Sequence, residues 1–208
     1  MTTFHWVFLT CTGVCFLVCL YHFVRSLFLT RPREYAKARG KVFPAVAYSF
    51  TKAMSPSRKE SAYLHLPTYV SGLVYHLGTF LSLFLVFLFF FNVYPTLPWS
   101  AIFAGALSIS FLAGWFILIK RIIKKELRQL SNPDDFISNA LVTAFQGFVV
   151  LTLLINSLTP ALLICASVLM LYIPIGKLKH VVYFFTSRVY LAIFFGRRGA
   201  WPVKEERS

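Results

Sequence analysis

Five histidines are the side chains in this 208-residue sequence with the most chemistry to offer. His76 stands in the run SGLVYHLGTFLSLFL, inside a long apolar stretch. An ionisable group there is expensive and is a functional candidate by default. Gly72, one helical turn earlier, is small enough to let a flat ring approach the backbone. His180 follows Pro174-Ile175-Gly176-Lys177-Leu178-Lys179, where a bend at the end of another apolar stretch would aim its imidazole inward. Two imidazoles at one membrane depth on different helices can occupy both axial positions of an iron porphyrin. Lys177 and Lys179 are then candidate partners for its propionates. His22 and Arg25 lie close together near the end of the first apolar run, while His5 and His65 read as interfacial polar residues. Of the four cysteines, Cys11, Cys15 and Cys19 share one helix face at i, i+4 and i+8. That pattern reads as packing, since neither a haem-attachment motif nor a zinc spacing accompanies it.

The elements that must position these residues are membrane helices. The chain is 58% hydrophobic and only 13% charged, well below the roughly one-quarter charged content of a soluble domain. Apolar runs of helix-spanning length, rather than short alternating segments, call for an all-α bundle and exclude a barrel. Five spans are expected at about 4–28, 69–91, 99–123, 136–155 and 160–176, forming a single domain over residues 1–196. Residues 181–195 contain Arg188 and are too short and too charged for a comfortable sixth span, so they are expected to form an interfacial helix. Residues 197–208 form a tail. The N-terminal run has no basic residue before Arg25 and is read as a retained helix, not a cleaved signal peptide.

Charge sets the orientation. All seven acids and eighteen of the 21 lysines and arginines fall in the segments after the first, third and last spans, and the other three, Arg25, Lys120 and Arg121, sit at the ends of the first and third spans that lead into them. The turns at 92–98 and 156–160 carry none. Short basic loops stay cytoplasmic, which places the N-terminus outside and the C-terminus inside. The surplus of +14 follows mainly from that rule, with anionic membrane lipid and an acidic partner as further takers. No nucleic-acid partner is expected, because the basic residues are spread over three segments and no binding fold is present. On this topology His22, His65, His76 and His180 lie towards the cytoplasm and His5 alone lies outside. A bis-histidine haem is therefore possible only in the inner leaflet, with His22 and His65 as alternatives to either ligand.

PIGKLKHVVYFFTSRVY resembles the end of the last membrane helix of the respiratory nitrate reductase gamma subunit and the related heterodisulfide reductase membrane subunits. SGLVYHLGTFLSLFL resembles the second helix of that family around its first haem ligand. The resemblance implies a five-helix cytochrome b subunit with His76 and His180 as haem ligands. The positions of that family's second ligand pair are occupied here by Val86 and Leu162, so one haem b, in the inner leaflet, is implied rather than two.

The expected function is a membrane anchor passing electrons between quinone or quinol and a cytoplasmic iron–sulfur reductase partner on the basic face. The expected location is the cytoplasmic (inner) membrane. Its site residues are His76 and His180 as iron ligands, Lys177, Lys179 and Arg25 at the propionates, and His22 near the quinone or haem. The alternative is a non-redox membrane protein, either a small transporter subunit or an assembly scaffold.

Overall fold

The computed structural model describes residues 1–29, 35, 37–55 and 64–203. Parts of the basic segment after the first helix (30–34, 36 and 56–63) and the end of the tail (204–208) lie outside the described residues. Among the described residues the fold is all-helical: α1 (Thr3–Leu29), α2 (Val42–Phe50), α3 (Leu66–Phe90), α4 (Trp99–Ile123), α5 (Lys125–Gln129), α6 (Pro133–Leu154), α7 (Thr159–Tyr172) and α8 (His180–Arg197). Among the described residues five helices are long and apolar enough to cross a membrane. The chain is an integral, multi-pass membrane protein.

The membership of the five differs from expectation at one place. The fifth long apolar helix is Lys177–Arg197, whereas the apolar segment before it runs only from Asn156 to Tyr172. Pro174 accounts for the early stop. It has no N–H to continue the ladder, although Ile173 before it keeps helical geometry at φ −48° and ψ −53°. Gly176 N–H instead returns to the Tyr172 carbonyl at 2.8 Å, and a 3-10 turn over Lys177–Lys179 leads into α8.

The helices group into two compact units. The first comprises Met1–Leu17 and Leu66–Leu178. In it α3 and α6 each pack on both α4 and α7. Its core is Leu85, Phe89, Leu107, Phe145, Val149, Leu162, Leu163 and Leu169, all at most 2% exposed. Small residues set the helix spacing. A Cβ added at Gly78 would fall 2.0 Å from Ser110 Oγ, and one at Gly114 would fall 2.5 Å from Tyr75 and Thr143. In lipid, where apolar side chains gain little by leaving one apolar solvent for another, such close backbone approach is what holds helices together.

Local signals explain where α6 and α7 begin. Asn132 caps α6, its side chain accepting from Asp135 N–H while the Asp135 carboxylate accepts from Asn132 N–H, each at 3.0 Å, with Pro133 in the first turn. This reciprocal pair satisfies donors that a helix start otherwise leaves open. Pro160 stands in the first turn of α7, where its missing N–H costs nothing.

The second unit comprises Val18–His65 and Lys179–Ser208, and α2 packs against α8 within it. Ser49 Oγ donates to the Arg188 carbonyl at 3.0 Å. At the other end, Arg39 N–H donates to the Arg197 carbonyl at 2.7 Å. These two contacts make the pair antiparallel.

Candidate functional site

His76 lies on α3 in the first unit and is exposed. The large side chains around it at helical spacing, Leu73, Leu77 and Phe80, are 51%, 61% and 63% exposed. This imidazole therefore sits on the outer, apolar face of a membrane helix, not in the bundle interior. A Cβ built at Gly72, one turn away, would meet nothing within 4 Å. The backbone beside His76 is open enough to receive a flat, largely apolar ring.

His180 is the first residue of α8, in the second unit, and is also exposed. His22, on the part of α1 assigned to that unit, is half-buried, with its ring 6.3 Å from Tyr183 in an edge-on arrangement. Arg25 is exposed one turn further along α1, Lys179 is half-buried, and His65 is exposed.

Lys177 has an occupation that the sequence does not reveal. Its ammonium is paired with the Asp135 carboxylate, which also lies 3.5 Å from Arg121 Nη1. Arg121 Nη1 donates as well to Ser131 Oγ at 2.8 Å. The Asp135 side chain is only 6% exposed. One carboxylate thus ties the end of α4 and the segment after α7 to the start of α6, where the helix dipole also favours a negative charge.

His5 is 5% exposed. Its Nδ1 lies 2.8 Å from Thr2 Oγ1 and 3.3 Å from Thr2 N, and its ring lies 5.4 Å from that of Phe90. It closes the first turn of α1.

The largest polar feature inside the first unit was not visible as a site in the sequence. Gln146, fully buried, donates from Nε2 to the Tyr75 carbonyl at 3.2 Å and to Thr79 Oγ1 at 2.9 Å. Its Oε1 accepts from Ser110 Oγ at 2.9 Å. Tyr75 Oη donates to the Asn139 carbonyl at 3.0 Å and lies 3.0 Å from Thr143 Oγ1. This network joins α3, α4 and α6. The signal that could have found it is the spacing of uncharged polar residues, Tyr75 with Thr79 and Asn139 with Thr143 and Gln146, at i, i+4 and i+7 within apolar runs.

No family model, curated protein or solved structure matches the chain. Among the described residues there is also no group of three or more His, Cys, Asp or Glu that could hold a metal ion. A porphyrin makes a smaller demand, because the macrocycle supplies the in-plane nitrogens and the protein need give only axial ligands. His76 beside the open backbone at Gly72, and His180 at an exposed helix start, each fit that demand within their own unit.

Proposed function

We propose that this chain is a membrane-anchored electron-transfer subunit that holds one b-type haem through His76 and His180. A haem of this kind, when bound, supplies a one-electron iron centre. The observation that carries the reading is His76: an exposed imidazole on an otherwise apolar face of a membrane helix, next to a glycine with open space above it. An ionisable side chain within a membrane span is a functional candidate by default.

The other residues then take supporting roles. Lys179 and Arg25 are the cations best suited to the haem carboxylates, since Lys177 is already engaged with Asp135. Lys177 would serve the haem only by sharing that ion pair. His22, held edge-on to Tyr183, is the candidate hydrogen-bonding group for a quinone. The concentration of basic residues in three segments supports an N-outside, C-inside orientation in the cytoplasmic membrane. It also supports a docking face for an acidic cytoplasmic iron–sulfur subunit.

The test is a reduced-minus-oxidised spectrum of the purified chain from haem-replete cells, with haem quantified per protein. A b-type band at one haem per chain, lost in His76→Ala and in His180→Ala but kept in His5→Ala and His65→Ala, is the expected result. A folded chain with no such band overturns the reading and leaves a non-redox scaffold or small transporter subunit in its place.

A further inference from the structure

The second unit is far more basic than the first. It holds fifteen of the twenty-one lysines and arginines but only four of the seven acids, in fewer than half the residues. It contains the last part of α1, whose Ser26 and Leu27 carbonyls accept from Tyr190 Oη of α8 at 3.1 and 2.7 Å, and α2 and α8, which are joined tightly. A Cβ at Gly40 would fall 2.2 Å from the Gly196 carbonyl oxygen, and one at Gly196 would fall 2.7 Å from Ala45 Cβ. Gly199, at φ +71°, turns the chain after α8, and Trp201 then packs 4.9 Å from Phe195 and 5.4 Å from Tyr48. The basic end of the pair, with Arg39, Lys41, Arg197 and Arg198, is thus built on a fixed backbone turn.

Length and register decide how such a pair can meet a membrane. α2 has nine uncharged residues with Lys41 before it and Lys52 after it. Nine residues of helix reach roughly 14 Å, under half the hydrocarbon thickness, so α2 cannot cross. Its C-terminal end sits against the middle of α8, with Ser49 on the Arg188 carbonyl and Phe50 stacked 6.2 Å from Phe185. If α8 stood upright across the bilayer, Lys52 and Arg188 would both be placed near its centre, where charge is most expensive. If the pair lies flat, both cations reach the headgroups. Apolar surface for the acyl boundary is present: Phe43 is 84% exposed, and Tyr183, Leu191 and Phe194 line one exposed stripe of α8 at helical spacing. Arg198 stacks 3.5 Å above the Phe194 ring and Arg188 lies 5.6 Å from that of Phe184. Cation and aromatic side by side is the pattern of a headgroup-level surface.

We infer that the α2–α8 pair lies in the plane of the membrane surface and holds anionic phospholipid headgroups at the basic turn formed by Arg39, Lys41 and Arg197. The inference is independent of haem binding. It is tested on the full-length chain, with its four cysteines replaced by alanine and a spin label placed in turn at Phe43, Tyr183, Ser187, Leu191 and Phe194. In bilayers with roughly one part phosphatidylglycerol to two of phosphatidylcholine, all five labels report one shallow depth if the pair lies flat. A depth that is greatest near Ser187 and shallow at both ends of α8 means an upright helix and overturns the inference.

Headgroup binding is read separately, as phosphatidylglycerol enrichment around the purified protein. R39Q/K41Q/R197Q lowers it by about fivefold for each cation neutralised, whereas K124Q/K125Q/R128Q, in the first unit, leaves it unchanged. Equal losses in the two triple variants mean general surface charge, not a site. No phosphatidylglycerol preference in the wild type means that the basic turn serves something else, such as an acidic protein. Either result overturns the inference.

Discussion

At the scale of single residues, the two best-defined polar features are Gln146 and Asp135, and they hold the first unit in different ways. Gln146 has its amide matched on both nitrogen and oxygen inside the bundle. Interhelical hydrogen bonds in membranes are worth about 0.6 kcal/mol on average and up to about 1.7. Gln146→Ala, which also leaves a void, should therefore cost roughly 2–3 kcal/mol, measured by reversible unfolding in detergent mixtures. Asp135 combines a helix cap with two cations on one nearly buried carboxylate. Asp135→Ala should cost about 1–3 kcal/mol, because it removes the cap and leaves Arg121 and Lys177 without their counter-charge. Since Lys177 is half in solvent, the larger share of that loss belongs to the cap and Arg121. His76 is a member of neither the Gln146 network nor the Asp135 clamp, so His76→Ala should remove haem while costing less stability than Gln146→Ala or Asp135→Ala. That split between stability and cofactor content separates a ligand from a structural histidine.

At the scale of elements, glycines divide the helices into packed and open faces. Gly78 leaves no room for a methyl group against Ser110, and Gly78→Ala should cost on the order of 1–3 kcal/mol through overpacking between α3 and α4. Gly72, six residues earlier on the same helix, faces open space. Gly72→Ala should be neutral or slightly stabilising through helix propensity. Gly72→Leu should keep the fold but lower haem content, as titrated in the purified protein, because it fills the space beside His76.

Most helix positions were legible in the sequence because bilayer thickness dictates the length of an apolar run. α4 starts and ends where its apolar run does, and Asn132-Pro133 marks the start of α6. The reading went astray at α7, where hydrophobicity continues to Gly176 but Pro174 ends the hydrogen-bond ladder first. It also missed α2, whose nine residues lie between lysines in a polar segment and acquire meaning only from a partner more than a hundred residues away. The same non-locality hid the site's polar surroundings. His76 stands out from its apolar neighbours by residue type alone, whereas nothing adjacent to Lys177 announces Asp135, and nothing adjacent to Gln146 announces Tyr75 or Ser110.

At the scale of the whole molecule, the chain is two compact units with unequal charge. The first is an apolar bundle locked by a hydrogen-bond network and an ion-pair clamp. The second carries most of the basic residues. The proposed topology has five crossings, with the shorter α7 as the fifth and α8 in plane, which puts the termini on opposite sides. Reporter fusions at Met1 and after Val203 should therefore give opposite signals, with the C-terminal one cytoplasmic. Fusions that report the same side would mean that α7 and α8 both cross.

The central proposal is that the chain binds one b-type haem with His76 and His180 as its ligands, and the redox difference spectrum of the purified chain tests it most directly. The account predicts a single b-type component at one haem per chain that disappears when either histidine is replaced by alanine. A spectrum without that component, or one that survives both replacements, would contradict it.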